Sequence, residues 1–395
     1  MPRRAAATLI AVGLLAAAPT PASAQSGQAG PYGGVPPGHW AAEQIGFVSD
    51  EAREWIPARK EGFGPGDHFT RRDLALAMFR AFPPPEGWSS TREFPDVEPG
   101  TPLASAAPYA VSRWWMKPKG GEFRPDGPVS RRDLDQALVR ALGYYREAAA
   151  VSKLSTEDGV RLAPWWSTGF LIVAERLGLH TNLPDQFEAE ELRPGQALTR
   201  AHAAHSLAQA AKITDQTRSS YAWRVDGFTD IVLPAMTPAR IEAVKFALKY
   251  AGFPYVTAGE WFRPTGPDYP YGAQPQGGFD CTGLAWWVLQ APQHPSYDVV
   301  RWRGYDGWKL EPRTATEMAK ATVTRYPFAR TLPMDIAFFD MDNDPSRMEH
   351  AGLLLGNGWL LHASGARGGV TLERITGKWW QDRYQFSRRV IPNAA

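Results

Sequence analysis

Three segments of this chain repeat one another, and that recurrence constrains the first half more than any other feature. FTRRDLALAMFRAF begins at Phe69, PVSRRDLDQALVRAL at Pro128 and ALTRAHAAHSLAQAA at Ala197, which puts the hydroxyl residues Thr70, Ser130 and Thr199 60 and then 69 residues apart. Each follows a Gly/Pro turn and suits an N-cap. In the first two, an acid three residues on (Asp73, Asp133) completes a variant of the capping box. His202 takes that place in the third. Behind the caps, Leu74 and Met78, Leu134 and Leu138, and Ala203 and Leu207 recur at i, i+4 and give each helix one apolar face. Aromatic helical stretches lie upstream, around Tyr109 to Trp115 and Trp165 to Leu179, so each repeat reads as helix, loop, helix.

Arg71, Arg131 and Arg200 occupy the first helical position, where the positive end of the macrodipole disfavours a cation by up to ~1 kcal/mol. Solvated arginines with stems packed on aromatic neighbours are one reading. A binding role that recurs with the repeat is the other. On Thr/Ser-Arg-x-Asp at these helices, Phe94-Pro95-Asp96-Val97 and Phe123-Arg124-Pro125-Asp126, the segment 37–213 resembles S-layer homology repeats. That resemblance implies an all-α three-repeat module holding an anionic secondary cell-wall polymer through Arg71, Arg131 and Arg200. Ala201-His202 departs from the pattern, as does the upstream helix of the first repeat.

With 395 residues, 44% hydrophobic and 21% charged, the chain has a globular composition and room for more than one domain. Residues 1–24 carry Arg3 and Arg4, an apolar run from Ala5 to Ala18 and Ala22-Ser23-Ala24, the pattern of a secretory signal peptide. That run is short of the ~20 residues a spanning helix needs, so a secreted protein without a membrane span is expected. Lys plus Arg number 43 against 41 for Asp plus Glu, and loss of Arg3 and Arg4 leaves 41 of each, which is no nucleic-acid signature. The single cysteine, Cys281, excludes an intramolecular disulfide and a thiolate metal cluster. No cofactor or metal is expected. Asp340, Asp342 and Asp344 alternate like a calcium loop, but Pro345 stands at the turn glycine and position twelve has no acid, so a turn is expected there.

Cys281 opens a helix, FDCTGLAWWVL, after a long Gly/Pro-rich loop from Thr257 to Gly278. A helix start stabilises a thiolate and lowers the cysteine pKa, and its free N–H groups can bind an oxyanion. The usual alternative is a small buried hydrophobe. A nucleophilic thiol needs a base with its own orienter. Two of the eight histidines, His350 and His362, flank one hairpin. Parity decides whether they meet. With a two-residue Asn357-Gly358 turn, His362 falls opposite Leu353 and the rings point to opposite faces. With a three-residue loop, His362 falls opposite Gly352, a diagonal neighbour of His350 on one face.

These residues resemble the NlpC-type papain-like cysteine peptidases that cut peptidoglycan stem peptides. The marks are Gly-x-Pro-Tyr at Gly252 to Tyr255, FDCTGL around Cys281, Pro312-Arg313-Thr314, Asp335-Ile-Ala-Phe-Phe339 and HAGLLLGNG...LLHAS through Ser364. The resemblance implies Cys281 as nucleophile, His350 as general base, His362 as orienter, Tyr255 beside the oxyanion, and Asp280 and Thr282 lining the substrate groove. Met334 stands where such domains have glycine, and the Thr257 to Gly278 loop, with Trp261, Tyr269 and Tyr271, is longer than usual.

The expected architecture is therefore multidomain: signal peptide 1–24, linker 25–36, three all-α repeats over 37–213, a polar linker 214–236, and an α+β papain-like domain over 237–392. Its expected function is a secreted, wall-associated peptidoglycan endopeptidase. An amidase or acyltransferase on the same residues and a non-catalytic wall-binding protein are the alternatives.

Overall fold

The computed structural model describes residues 33–266, 274, 276–290, 307–308, 310, 312–342, 344 and 347–393. The expected signal peptide and most of the 25–36 linker lie outside the described residues, as do Tyr269 and Tyr271.

The first half is built from α1 (Ala42–Ser49), α2 (Arg71–Ala81), α3 (Pro102–Ser112), α4 (Arg131–Ala141), α5 (Tyr145–Val151), α6 (Thr168–Leu177) and α7 (Arg200–Ala210), and its helices pack across the repeats, α1 on α7, α2 on α3 and α4 on α6. The capping boxes form at α2 and α4, with each cap hydroxyl accepting from the N3 backbone and the N3 aspartate accepting from the cap backbone. At α7, Thr199 Oγ1 lies 2.7 Å from His202 Nδ1. Burial drives His202 down to about 3, so a neutral imidazole stands in for the carboxylate.

A closed ring of backbone hydrogen bonds joins the repeats. Phe69 N–H donates to Leu198 O, Leu198 N–H to Val129 O, and Val129 N–H to Phe69 O. The turn of one repeat also caps the helix of another: Arg71 and Arg72 N–H donate to Gly127 and Pro125 O, Arg131 and Arg132 N–H to Gln196 and Pro194 O, and Arg200 and Ala201 N–H to Asp67 and Pro65 O.

This geometry corrects the reading of the helix-start arginines. The N–H groups at these helix starts already have carbonyl partners, and the guanidinium groups are buried. Arg71 donates to Phe123 O at 2.7 Å and Lys117 O at 2.8 Å, above the Phe123 ring. Arg200 repeats this on Phe63 O and Pro57 O, both at 2.7 Å, above the Phe63 ring. Arg131 instead reaches out of the repeats to Gly252 O and lies 3.6 Å from the Glu175 carboxylate. The cation tolerated at each helix start thus staples one segment to another, which removes the ground for reading these three as polymer contacts. Arg200→Gln should lower unfolding stability by roughly 1.5–3 kcal/mol, because the charged donor to two buried carbonyls is lost. An unchanged denaturation midpoint would contradict this role.

Beyond α8 (Arg218–Ala222), the second half starts at α9 (Pro238–Leu248), with Thr237 at the N-cap position and Pro238 in the first turn as the Thr-Pro pair predicts, although the Thr237 hydroxyl makes no cap hydrogen bond. A short antiparallel pair, β1 (Glu260–Trp261) and β2 (Gly278–Phe279), precedes α10 (Cys281–Leu289). An antiparallel five-stranded sheet follows in the order β6-β5-β4-β3-β7, built from β3 (Ile336–Phe339), β4 (His350–Gly356), β5 (Trp359–Ser364), β6 (Gly369–Arg374) and β7 (Tyr384–Arg388). α10 packs against β4 and β5 and brings the cysteine to the hairpin, while α6 packs against β6. The C-terminal part is thus α+β and the N-terminal part helical.

The 214–236 segment is more than a polar connection. It buries Val225, Phe228, Ile231 and Leu233, and the Phe228 ring sits 5.4 Å from that of Trp359 on β5. Met334 adopts φ +67°, the left-handed region that glycine prefers, while its side chain is fully buried. Asp344 N–H donates to Asp340 and Asp342 at 2.9 and 3.1 Å, the hydrogen bonding of a turn. No helix among the described residues is long and apolar enough to cross a membrane.

Candidate active site

Asp280 caps α10, its carboxylate accepting from Gly283 N–H at 2.6 Å, and so fixes Cys281 at the first helical position. Arg313 grips that carboxylate with two donors, at 2.9 and 3.0 Å, and also donates to Thr282 Oγ1 at 2.9 Å, Gly259 O at 3.1 Å and the Glu260 carboxylate. Burial opposes its charge, but Asp280 and Glu260 outweigh that and hold Arg313 above the usual arginine range. Asp280 and Thr282 are therefore engaged by one fork from the side of the helix start. The Pro312-Arg313-Thr314 motif marked the residue in the sequence without disclosing this role.

Cys281 is 8% exposed, with Sγ 3.9 Å from the carbonyl of Glu349, the residue preceding His350. Burial pushes its thiol up to about 11, and the Asp280 charge adds to the shift. This differs from the lowered thiol expected at a helix start. Desolvation and a neighbouring carboxylate outweigh the N–H groups there, so at neutral pH the group is a thiol.

The hairpin settles the parity question in an unexpected way. The turn itself is the two-residue Asn357-Gly358 form, with Gly356 opposite Trp359 and positive φ at both turn residues. A bulge between Leu354 and Gly356 then adds one residue to β4, and below it Leu354 pairs with Leu360 and Leu353 with Leu361. This is the register expected of the three-residue loop. It places His350 Nε2 2.7 Å from His362 Nδ1, with the rings steeply inclined at 76°. Gly352 leaves room for the pair, since a Cβ there would stand 3.0 Å from that of His362 and 2.8 Å from Leu360.

Burial lowers His350 to about 4 and takes His362 well below its ordinary value, with the neighbouring His350, Arg176 and Arg367 adding to the latter. Both rings are therefore neutral at pH 7. Two neutral rings sharing one hydrogen bond need one donor and one acceptor. If His350 donates from Nε2, its Nδ1 is left as the basic atom and His362 carries its proton on Nε2. That Nε2 is buried without a hydrogen-bond partner. Tyr255 is anchored by its N–H to Gly368 O at 2.8 Å, and burial, followed by Cys281 and Asp280, raises its phenol above the usual range, so it keeps its proton.

The site thus gathers a buried thiol, a neutral histidine pair and a protonated phenol. Residues 266–389 match the NlpC/P60 family, so the C-terminal part of the chain is an NlpC/P60 domain. The match begins after Tyr255. Solved structures share this part at low identity. An NlpC/P60 family protein from Bacillus cereus is 20% identical over 40% of this chain, which spans 42% of that protein, with a TM-score of 0.29. The peptidoglycan hydrolase RipB from Mycobacterium tuberculosis is 22% identical, covering 46% of this chain and 88% of that one, TM-score 0.29. RipD from Mycobacterium tuberculosis, described as a non-catalytic NlpC/p60 domain protein adapted to peptidoglycan binding, is 18% identical, covering 40% and 100%, TM-score 0.26. No curated protein matches the chain.

Proposed function

We propose that this protein is a cell-wall hydrolase that cleaves an amide bond of peptidoglycan stem peptides through a thioester on Cys281. The observation that carries the reading is the neutral His350–His362 pair, 2.7 Å apart, with the carbonyl preceding His350, Glu349 O, 3.9 Å from Sγ of the single cysteine in the sequence. In the proposed reaction, His350 Nδ1 takes the thiol proton as Sγ attacks the amide carbonyl carbon. The resulting oxyanion is met by the Tyr255 hydroxyl and the N–H groups at the start of α10. Collapse breaks the C–N bond, His350 returns the proton to the leaving amine, and the acyl group remains on sulfur. Water then attacks the thioester with His350 again as base, releasing the acid and restoring the thiol. His362 holds the ring of His350 and takes no proton from substrate.

With the thiol raised and the imidazole lowered by burial, a resting thiolate–imidazolium pair is unfavourable, so in this sequence the proton moves to the imidazole as attack occurs. Stoichiometric alkylation of the protein should therefore abolish turnover, and with one cysteine the modified site is unambiguous. Alkylated protein that still hydrolyses stem peptides would remove Cys281 from the reaction. The protein is further proposed to be secreted through residues 1–24 and to act at the wall, and an anionic secondary wall polymer as partner of the helical half would be held by residues other than Arg71, Arg131 and Arg200, which are engaged by backbone carbonyls. Resolution of the thioester by another nucleophile would make the protein an acyltransferase, and cleavage at the glycan–peptide link an amidase. An inert site would leave a wall-binding protein.

A further inference from the structure

A cavity of about 820 Å3 opens against the histidine pair, and Arg176 and the 223–228 segment on its lining lie outside the NlpC/P60 match. His350 and His362 form one side, and the segment carrying Trp223 and Arg224 closes the other, helped by Arg176 of α6. Cavities of this size are typical of small-ligand sites.

Its charge is unbalanced. Arg176, Arg224, Arg367 and Arg374 line it against three carboxylates, Asp226, Glu349 and the buried Glu373, which leaves one guanidinium in excess. Arg176 pairs with Glu373, and Arg367 Nε stands 3.9 Å from the same carboxylate. Arg224 has only a long bond of 3.4 Å to Leu177 O, and its Nε is buried without a partner. Arg374, farther out, pairs with Asp226 at 3.5 Å. The guanidinium groups disfavour one another's charge: burial and then Arg224 lower Arg367, and burial, Arg367 and Arg224 lower Arg176. The Nε2 of His362, 2% exposed, also lacks a partner and is a donor when His350 donates to Nδ1, while on the same lining Glu349 Oε1 has only Arg347 Nε at 3.8 Å. Donors without acceptors thus converge on the cavity from two unrelated elements. Trp223 and Trp379, 57% and 49% exposed, stand at the rim.

We propose that this cavity is a subsite for a carboxylate group of the substrate, held by Arg367 and Arg224 and accepting from His362 Nε2–H. The proposal rests on the reading of the Cys281 site as one for stem peptides, whose acidic residues carry free carboxylates. A carboxylate fits because a planar guanidinium fork presents paired donors to its two oxygens. Bound there, it would also favour the tautomer of His362 that leaves His350 Nδ1 basic.

The test uses binding rather than turnover. Full-length Cys281→Ala protein is titrated calorimetrically with a stem tripeptide bearing free carboxylates and with the same tripeptide as its carboxamides. The acid should bind about tenfold more tightly or better. In the added presence of Arg367→Gln that preference should fall below about threefold, with Arg367→Lys keeping part of it. Carboxamide binding should stay unchanged, which also reports that the variant is folded. Equal binding of the two peptides, binding of neither, or a preference that survives both Arg367→Gln and Arg224→Gln overturns the proposal. Inorganic phosphate binding more tightly than the acid peptide would assign the cavity to a phosphate group and overturn the carboxylate assignment. The two readings fail separately: parent protein that hydrolyses nothing refutes the peptidase while an acid preference retains the subsite, and hydrolysis without that preference does the reverse.

Discussion

Cys281→Ala is expected to reduce hydrolysis of stem peptides by about 10^4-fold or more, and His350→Ala to do nearly the same, because nucleophile and base act as one unit. The double variant should be no worse than either single one. Non-additivity of that kind distinguishes a catalytic pair from two residues that merely support the fold. Structure should survive the cysteine change, since Sγ meets only backbone groups, Glu349 O at 3.9 Å and the N–H groups of Ala351 and Thr282, and alanine keeps the helix start capped by Asp280. His362→Ala should cost less and should fall on kcat rather than KM, because His362 touches His350 and not the scissile bond. Independent, additive losses at Cys281 and His350 would contradict the assignment.

The protein is also expected to lose several kcal/mol of stability between neutral pH and about pH 4. His205 and His350 are lowered to about 4 and His202 to about 3, in each case first by burial. An unfolded chain binds protons at these rings near 6.5, and the folded chain does so only near 3 to 4. Stability is therefore full above about 6.5 and falls as pH drops through that window. His180 acts with the opposite sign. Burial and Arg131 oppose its charge, but Asp135 at 2.7 Å and Glu175 at 2.6 Å outweigh them and hold it up at about 9. Its contribution is present below 6.5 and is lost as pH rises through about 9. Thermal unfolding followed from pH 4 to 9 should peak between these limits. A midpoint that stays flat from pH 7 to 4.5 would show that these histidines are solvated in solution.

Much of the site was legible because it is written in local chemistry. Hydroxyl caps, the Thr237-Pro238 start and the Asp-Cys helix opening depend on neighbours within one turn, and they fall where the sequence places them. The hairpin was half legible: its glycines allowed either loop, and the bulge at Leu355 combined the shorter turn with the longer loop's register. What escaped depends on partners distant in sequence. The carbonyls of Phe123 and Phe63 that receive Arg71 and Arg200 lie 52 and 137 residues away, and the Gly252 carbonyl that receives Arg131 lies 121 away. A cation at a helix start looks misplaced until those acceptors are known. Burial is equally non-local, so the helix start suggested a lowered thiol pKa while the packed site raises it. The 214–236 segment looked polar because its buried residues, Val225, Phe228, Ile231 and Leu233, follow no helical or strand period.

The most direct measurement is the mass of what the protein makes. Full-length protein is incubated with defined stem peptides, and both the products and the intact protein are weighed over time. Two fragments whose masses together equal the substrate plus one water, with a transient acyl adduct on parent protein that is absent from Cys281→Ala, are the predicted result. Unchanged stem peptides and unmodified Cys281 after prolonged incubation would contradict the account.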